Sequence, residues 1–266
     1  KGWKLLGAGG IVAIYATHLF WLDSYAGANK SLLHLIFLFV YFLMFAVLAF
    51  KIKEERKEVK ETIDSWVNSK SVVAAVLLIT YLFLFQIDFH NAFIVITPLI
   101  LLLLAVTFFV MRFRWNYFAV GGIILNYLIH WNWLQQNFKE SFLLINFVTL
   151  SIYFIIFNIL LFMLYGDKNK IENVIGILLN SFLYYSLNMW PMFRLNKGYQ
   201  GLFTAGIAIF YLIASYVAYN KRISHYFNTY LILCFGFLTL AIPLQFNREW
   251  ITISWAVLTL ILVLLS

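Results

Sequence analysis

Two histidines of this sequence sit in matching frames. GGIVAIYATHLFWL covers Gly9 to Leu22, and GGIILNYLIHWNWL covers Gly121 to Leu134. Each frame holds Gly-Gly-Ile, a tyrosine, a histidine three residues later, and then Trp and Leu. On a helix, residues three apart share a face, so Tyr15 pairs with His18 and Tyr127 with His130. Imidazole is the side chain best suited to acid–base work near neutral pH, and it is also a common metal ligand. With Asp23, Asp88 and His90 the two histidines make a carboxylate–histidine set that could move protons or hold a metal. The spacing fits no metal motif. Asp88 and His90 share one tight turn, and no helical pair of the HExxH kind occurs. No metal and no cofactor is therefore assigned, and no residue is assigned a catalytic role. Two other readings stay open. The same residues can be hydrogen-bonded helix ends, or with Trp133, Arg194 and Arg248 they can line a polar ligand site.

What must position these groups is a membrane bundle. The chain has 266 residues, of which 64% are hydrophobic and 11% charged. Soluble domains carry about a quarter charged residues. Several apolar runs reach the length that crosses a bilayer core of roughly 30 Å as a helix. Ten spans are expected, at about 4–22, 31–50, 71–89, 92–111, 116–134, 141–165, 171–191, 201–219, 227–245 and 250–266. Of the 19 Lys and Arg residues this arrangement puts 14 on one side and 5 on the other. By the positive-inside rule both termini are then cytoplasmic. The net charge of +8 is explained by topology, and no nucleic-acid surface is read from it. His18, Asp23, Asp88, His90, His130, Arg194 and Arg248 all fall toward the outer face.

The longest polar stretch, residues 51–70, has its apolar residues on one helical stripe, with i,i+4 ion pairs such as Lys57/Glu61. It reads as an amphipathic helix at the cytoplasmic interface. Four spans separate Gly9 from Gly121, so the two copies of the repeat run parallel. Repeat units of about 1–111 and 112–220 are expected, with a final hairpin at 227–266. Gly7, Gly9, Gly10, Ala13 and Ala16, and likewise Gly121 and Gly122, are read as points of close helix approach. Pro98 is expected to kink its span, while Pro191 and Pro243 should end theirs. Asn126, Asn146, Asn158 and Asn180 are expected to hydrogen-bond between helices. The outer-face aromatics, Tyr184 and Trp190 among them, are read first as an interfacial belt. The single cysteine, Cys234, allows no disulfide within the chain. Because the sequence starts at Lys1 and its last span runs to Ser266, it is expected to be a segment of a longer chain.

Two stretches carry a family resemblance. AIPLQFNREWITISWAVLTLILVLL, Ala241 to Leu265, and KGWKLLGAGGIVAIYATHLFW, Lys1 to Trp21, resemble a large bacterial family of multipass membrane proteins catalogued as domain of unknown function 2339. The resemblance covers both ends, and the middle only by general pattern. Where the family often has Asp-Gly before the Trp, this chain has Asn247, Arg248 and Glu249. The resemblance implies an all-α polytopic bundle in a bacterial inner membrane. It transfers no catalytic residue.

Three functions are compatible with these features. The first is a binding or transport component for an amphipathic envelope substrate, such as a lipid-linked sugar, at the outer face. The second is a non-catalytic scaffold that docks other membrane subunits. The third is a membrane-embedded transferase with His18 or His130 as general base. All three have the lipid bilayer as a partner.

Overall fold

The computed structural model describes residues 10, 13–18, 36–41, 43–44, 76–81, 84, 92–164, 170–195, 198–245, 255–256, 259 and 263. Among them the chain is all-helical. Six long helices follow one another: α1 (Ala92–Phe113), α2 (Asn116–Asn137), α3 (Leu143–Met163), α4 (Lys170–Arg194), α5 (Gln200–Asn220) and α6 (Ser224–Gln245). Shorter helical stretches lie at 13–18, 36–41 and 76–81. The amphipathic helix expected at 51–70 lies outside the described residues. So does most of the first three expected spans and of the tenth.

Among the described residues three helices are long and apolar enough to cross a membrane: α3 with the 3-10 turn before it, α5 and α6. They coincide with the expected spans 141–165, 201–219 and 227–245. Their outward sides are apolar. Leu202, Ile209 and Ile213 of α5 are 68, 59 and 59% exposed. In water such a surface would be an aggregation site, whereas against lipid it is the ordinary exterior. These helices are candidate membrane spans.

The contacts divide the chain into two compact units. One comprises Lys1–Phe142 and Ile155–Asn169, the other Leu143–Phe154 and Lys170–Ser266. In the first, α1 and α2 form a hairpin through Arg114 and Trp115. Arg114 takes a left-handed conformation, φ 51°, and its Nη1 donates to the carbonyl of Met163 at 3.3 Å. The buried residues of α1 recur at helical spacing, Leu99, Leu103, Val106 and Val110, each 0% exposed. A Cβ added to Gly122 would come 2.6 Å from Val106 Cγ1, so α2 approaches α1 closely at this glycine. At Gly10 and Gly121 a Cβ would meet nothing within 4 Å among the described residues. Among the described residues, the close approach expected of these glycines occurs at Gly122. The helix α1 runs through Pro98 without interruption.

In the second unit, α5 and α6 pair along their length. A Cβ on Gly201, at the start of α5, would lie 2.5 Å from Gln245 Cβ at the end of α6. The turn between them is a left-handed helix end. Arg222 has φ 58°, its N–H reaches the carbonyl of Tyr219 at 2.9 Å, and the N–H of Ile223 reaches Ala218 at 3.0 Å. Ile223 is buried and anchors the turn. Pro191 and Pro243 lie within the last turn of α4 and α6. Each proline forgoes the bond to the carbonyl four residues back, and its helix ends within the next turn.

Candidate functional site

A polar seam runs down α4 and is closed from within its own unit. Asn173, Asn180, Ser181 and Asn188 are buried, and their spacing of seven or eight residues puts them on one face. Asn180 Nδ2 donates to the Phe154 carbonyl at 3.1 Å, and Asn146 Nδ2 donates to Asn188 Oδ1 at 3.5 Å. The hydroxyls of Ser151 and Tyr184 bond at 3.0 Å, and those of Ser181 and Tyr211 bond likewise. Phe154 stacks on Tyr184 with centroids 4.3 Å apart. The expectation of interhelical amide bonds holds for Asn146 and Asn180. Tyr184, expected in an interfacial belt, is instead 5% exposed and part of this seam. Such a seam joins helices and leaves little polar capacity for chemistry.

The repeated histidines belong to the first unit, and each sits with its tyrosine. Tyr15 and His18 are both buried, at 3 and 2% exposure. The hydroxyls of Tyr15 and Thr80 bond at 3.1 Å. The His18 ring meets Tyr41 edge-on at 5.4 Å and Phe37 at 5.9 Å, and Phe37 stacks on Tyr41. His18 thus stands against two rings of the 36–41 stretch. Phe37, Tyr41 and Thr80 carry no sequence signal for this role, because they come from distant helices.

The second copy differs. Asn126, Tyr127, His130 and Trp133 are all buried, three of them at 0% and Trp133 at 3%. They form the inward stripe of the second half of α2, beyond the Gly122 contact and away from the Arg114 turn. The His130 ring meets Trp133 edge-on at 5.5 Å, Trp133 lies 5.9 Å from Phe142, and Tyr127 lies 6.5 Å from Phe157. Both amide atoms of Asn126 and the Nε1 of Trp133 have no hydrogen-bond partner among the described residues. Leaving a buried donor or acceptor unmade costs about 1–3 kcal/mol. Asn126, expected to bond between helices, finds no partner among the described residues. Its spacing of four and seven residues from His130 and Trp133 is the sequence signal that links it to them.

Of the other expected site residues, Arg194 lies in the second unit, at the exposed end of α4, with its guanidinium 5.3 Å from the Trp190 ring centroid. Such cation–π contacts at exposed sites are worth about 0.5–1 kcal/mol. Asp23, Asp88, His90 and Arg248 lie outside the described residues. Among the described residues no three His, Cys, Asp or Glu side chains converge to hold a metal ion.

The fold defines a helical membrane protein, with hydrogen bonds along the α4 seam and with the Asn126 amide and Trp133 Nε1 unpartnered among the described residues. Comparison with protein-family models, curated proteins and solved structures finds no match for the chain.

Proposed function

We propose that this protein is a binding or transport component for an amphipathic cell-envelope substrate. In this reading it is a multipass protein of a bacterial inner membrane, with ten spans built from parallel hairpin repeats and both ends of the segment cytoplasmic. The resemblance of its two ends to the bacterial family named above fits this placement. One observation carries the reading: the Asn126 amide and the Trp133 Nε1 are buried and have no hydrogen-bond partner among the described residues. A carboxamide and an indole N–H suit hydroxyls and amides of a sugar, and the surrounding rings suit its apolar faces. The lipid part of such a substrate needs only the bilayer.

Native mass spectrometry of gently solubilised protein tests this reading. A lipid-linked or glycan adduct should accompany the wild type and be lost from the Asn126→Leu/Trp133→Phe and His18→Ala/His130→Ala variants. Identical spectra from folded wild type and variants would sink it. A second reading, a non-catalytic scaffold, is favoured by the α4 seam, whose Asn180, Ser181 and Asn188 are bonded within the bundle. It predicts bare protein that co-purifies with other membrane subunits.

A further inference from the structure

A groove of about 550 Å³ opens on the α5–α6 hairpin, beside its turn. Leu212, Ile213, Tyr216 and Tyr219 line it from α5, and Phe227 and Leu231 from α6. The rings of Tyr219 and Phe227, 5.7 Å apart, close the end next to the turn. Tyr216 and Tyr219 are each 65% exposed. Phenols so placed prefer the headgroup level of a bilayer, with the ring in the acyl region and the hydroxyl in the wet layer. The turn then carries Lys221 and Arg222 at that level, both exposed. Residues 198–245 contain no Asp or Glu, so the hairpin has no anion of its own to offer them.

We propose that this groove is a binding site for one anionic phospholipid, with an acyl chain along the apolar walls and the phosphate on Lys221 and Arg222. Charge complementarity selects the occupant. Two adjacent cations at an interface attract an anionic headgroup, whereas a zwitterionic one offers them no net charge. The concave apolar wall adds what a cationic turn alone lacks, a fixed place for the chain. The site is separate from the Asn126–Trp133 seam and does not depend on the reading of that seam.

The test is lipid retention by the full chain in detergent, read by native mass spectrometry with phosphatidylglycerol and phosphatidylcholine as probes. One phosphatidylglycerol should be retained in preference to phosphatidylcholine. Lys221→Gln/Arg222→Gln should weaken retention by about thirtyfold, the worth of two interfacial cations. Leu231→Trp, which fills the groove and leaves the cations, should weaken it by about tenfold or more, the worth of roughly one excluded apolar group. If that variant misfolds by circular dichroism, Ile213→Trp, at a position 59% exposed, takes its place. Equal retention of the two lipids overturns the proposal. So does a groove-filled variant that binds as the wild type does, since the association would then be with the charges alone. A dimer that excludes lipid would also overturn it, by assigning the groove to a second copy.

Discussion

Gly201 and Gln245 are 44 residues apart in sequence, yet a Cβ on the glycine would lie 2.5 Å from the Gln245 Cβ and 2.9 Å from its Cα. The first turn of α5 therefore touches the backbone of the last turn of α6. This contact holds the open end of the hairpin, as the Arg222 turn holds the closed end. In lipid there is little hydrophobic drive between helices, so close approach at a small residue is a main source of association.

Gly201→Ala should destabilise the protein by about 1–3 kcal/mol, because the new methyl meets backbone that cannot turn aside. Gly206→Ala, where a Cβ meets nothing within 4 Å, should be neutral or stabilising by up to about 1 kcal/mol through helix propensity. Thermal unfolding in detergent compares the two. Equal effects would remove the contact as the explanation.

Gly122→Ala should cost about 1–3 kcal/mol by the same overpacking. Here the obstacle is the side chain of Val106, so Val106→Ala should restore part of the loss. A double-mutant cycle should give a coupling of about 0.5–3 kcal/mol. Additive effects would mean that the α1–α2 contact lies elsewhere.

The two buried amides should respond with opposite sign. Asn180→Leu removes a donor to the Phe154 carbonyl and should destabilise by about 1 kcal/mol. Asn126→Leu removes an unpaired amide from an apolar setting and should stabilise by about 1–3 kcal/mol. If the seam holds a substrate, Asn126→Leu gains that stability and loses the adduct. Unfolding midpoints and native mass spectra on the same samples check both halves. Destabilisation by Asn126→Leu in adduct-free protein would show that the amide is paired.

Arg222 occupies a left-handed position that glycine adopts without strain. Arg222→Gly should stabilise the α5–α6 hairpin by about 1 kcal/mol in lipid-free detergent. In phosphatidylglycerol the same change should lower lipid retention. A variant less stable in both settings would show that the side chain, and not the backbone strain, dominates at this turn.

Much of the fold was legible in the sequence because it depends on local quantities. Apolar run length predicted α3, α5 and α6 within a few residues, and the turns at Arg114 and Arg222 fall in the gaps between expected spans. The pairing of Tyr15 with His18 and of Tyr127 with His130 followed from helical spacing alone, and all four are buried. What spacing could not decide is what each face meets. Gly121 and Gly122 are neighbours in sequence, but only Gly122 faces Val106 among the described residues. Asn126 and Asn180 look alike as amides in apolar helices. Asn180 finds the Phe154 carbonyl and Asn126 finds no partner among the described residues, because a hydrogen bond needs a group on another helix within about 3 Å. Tyr184 has the composition of a belt residue, yet Ser151 and Phe154 of α3 draw it inside. The sequence by itself determined where helices form and which residues share a side. The tertiary structure decided which of those sides are satisfied, since partners come from segments that no local pattern connects.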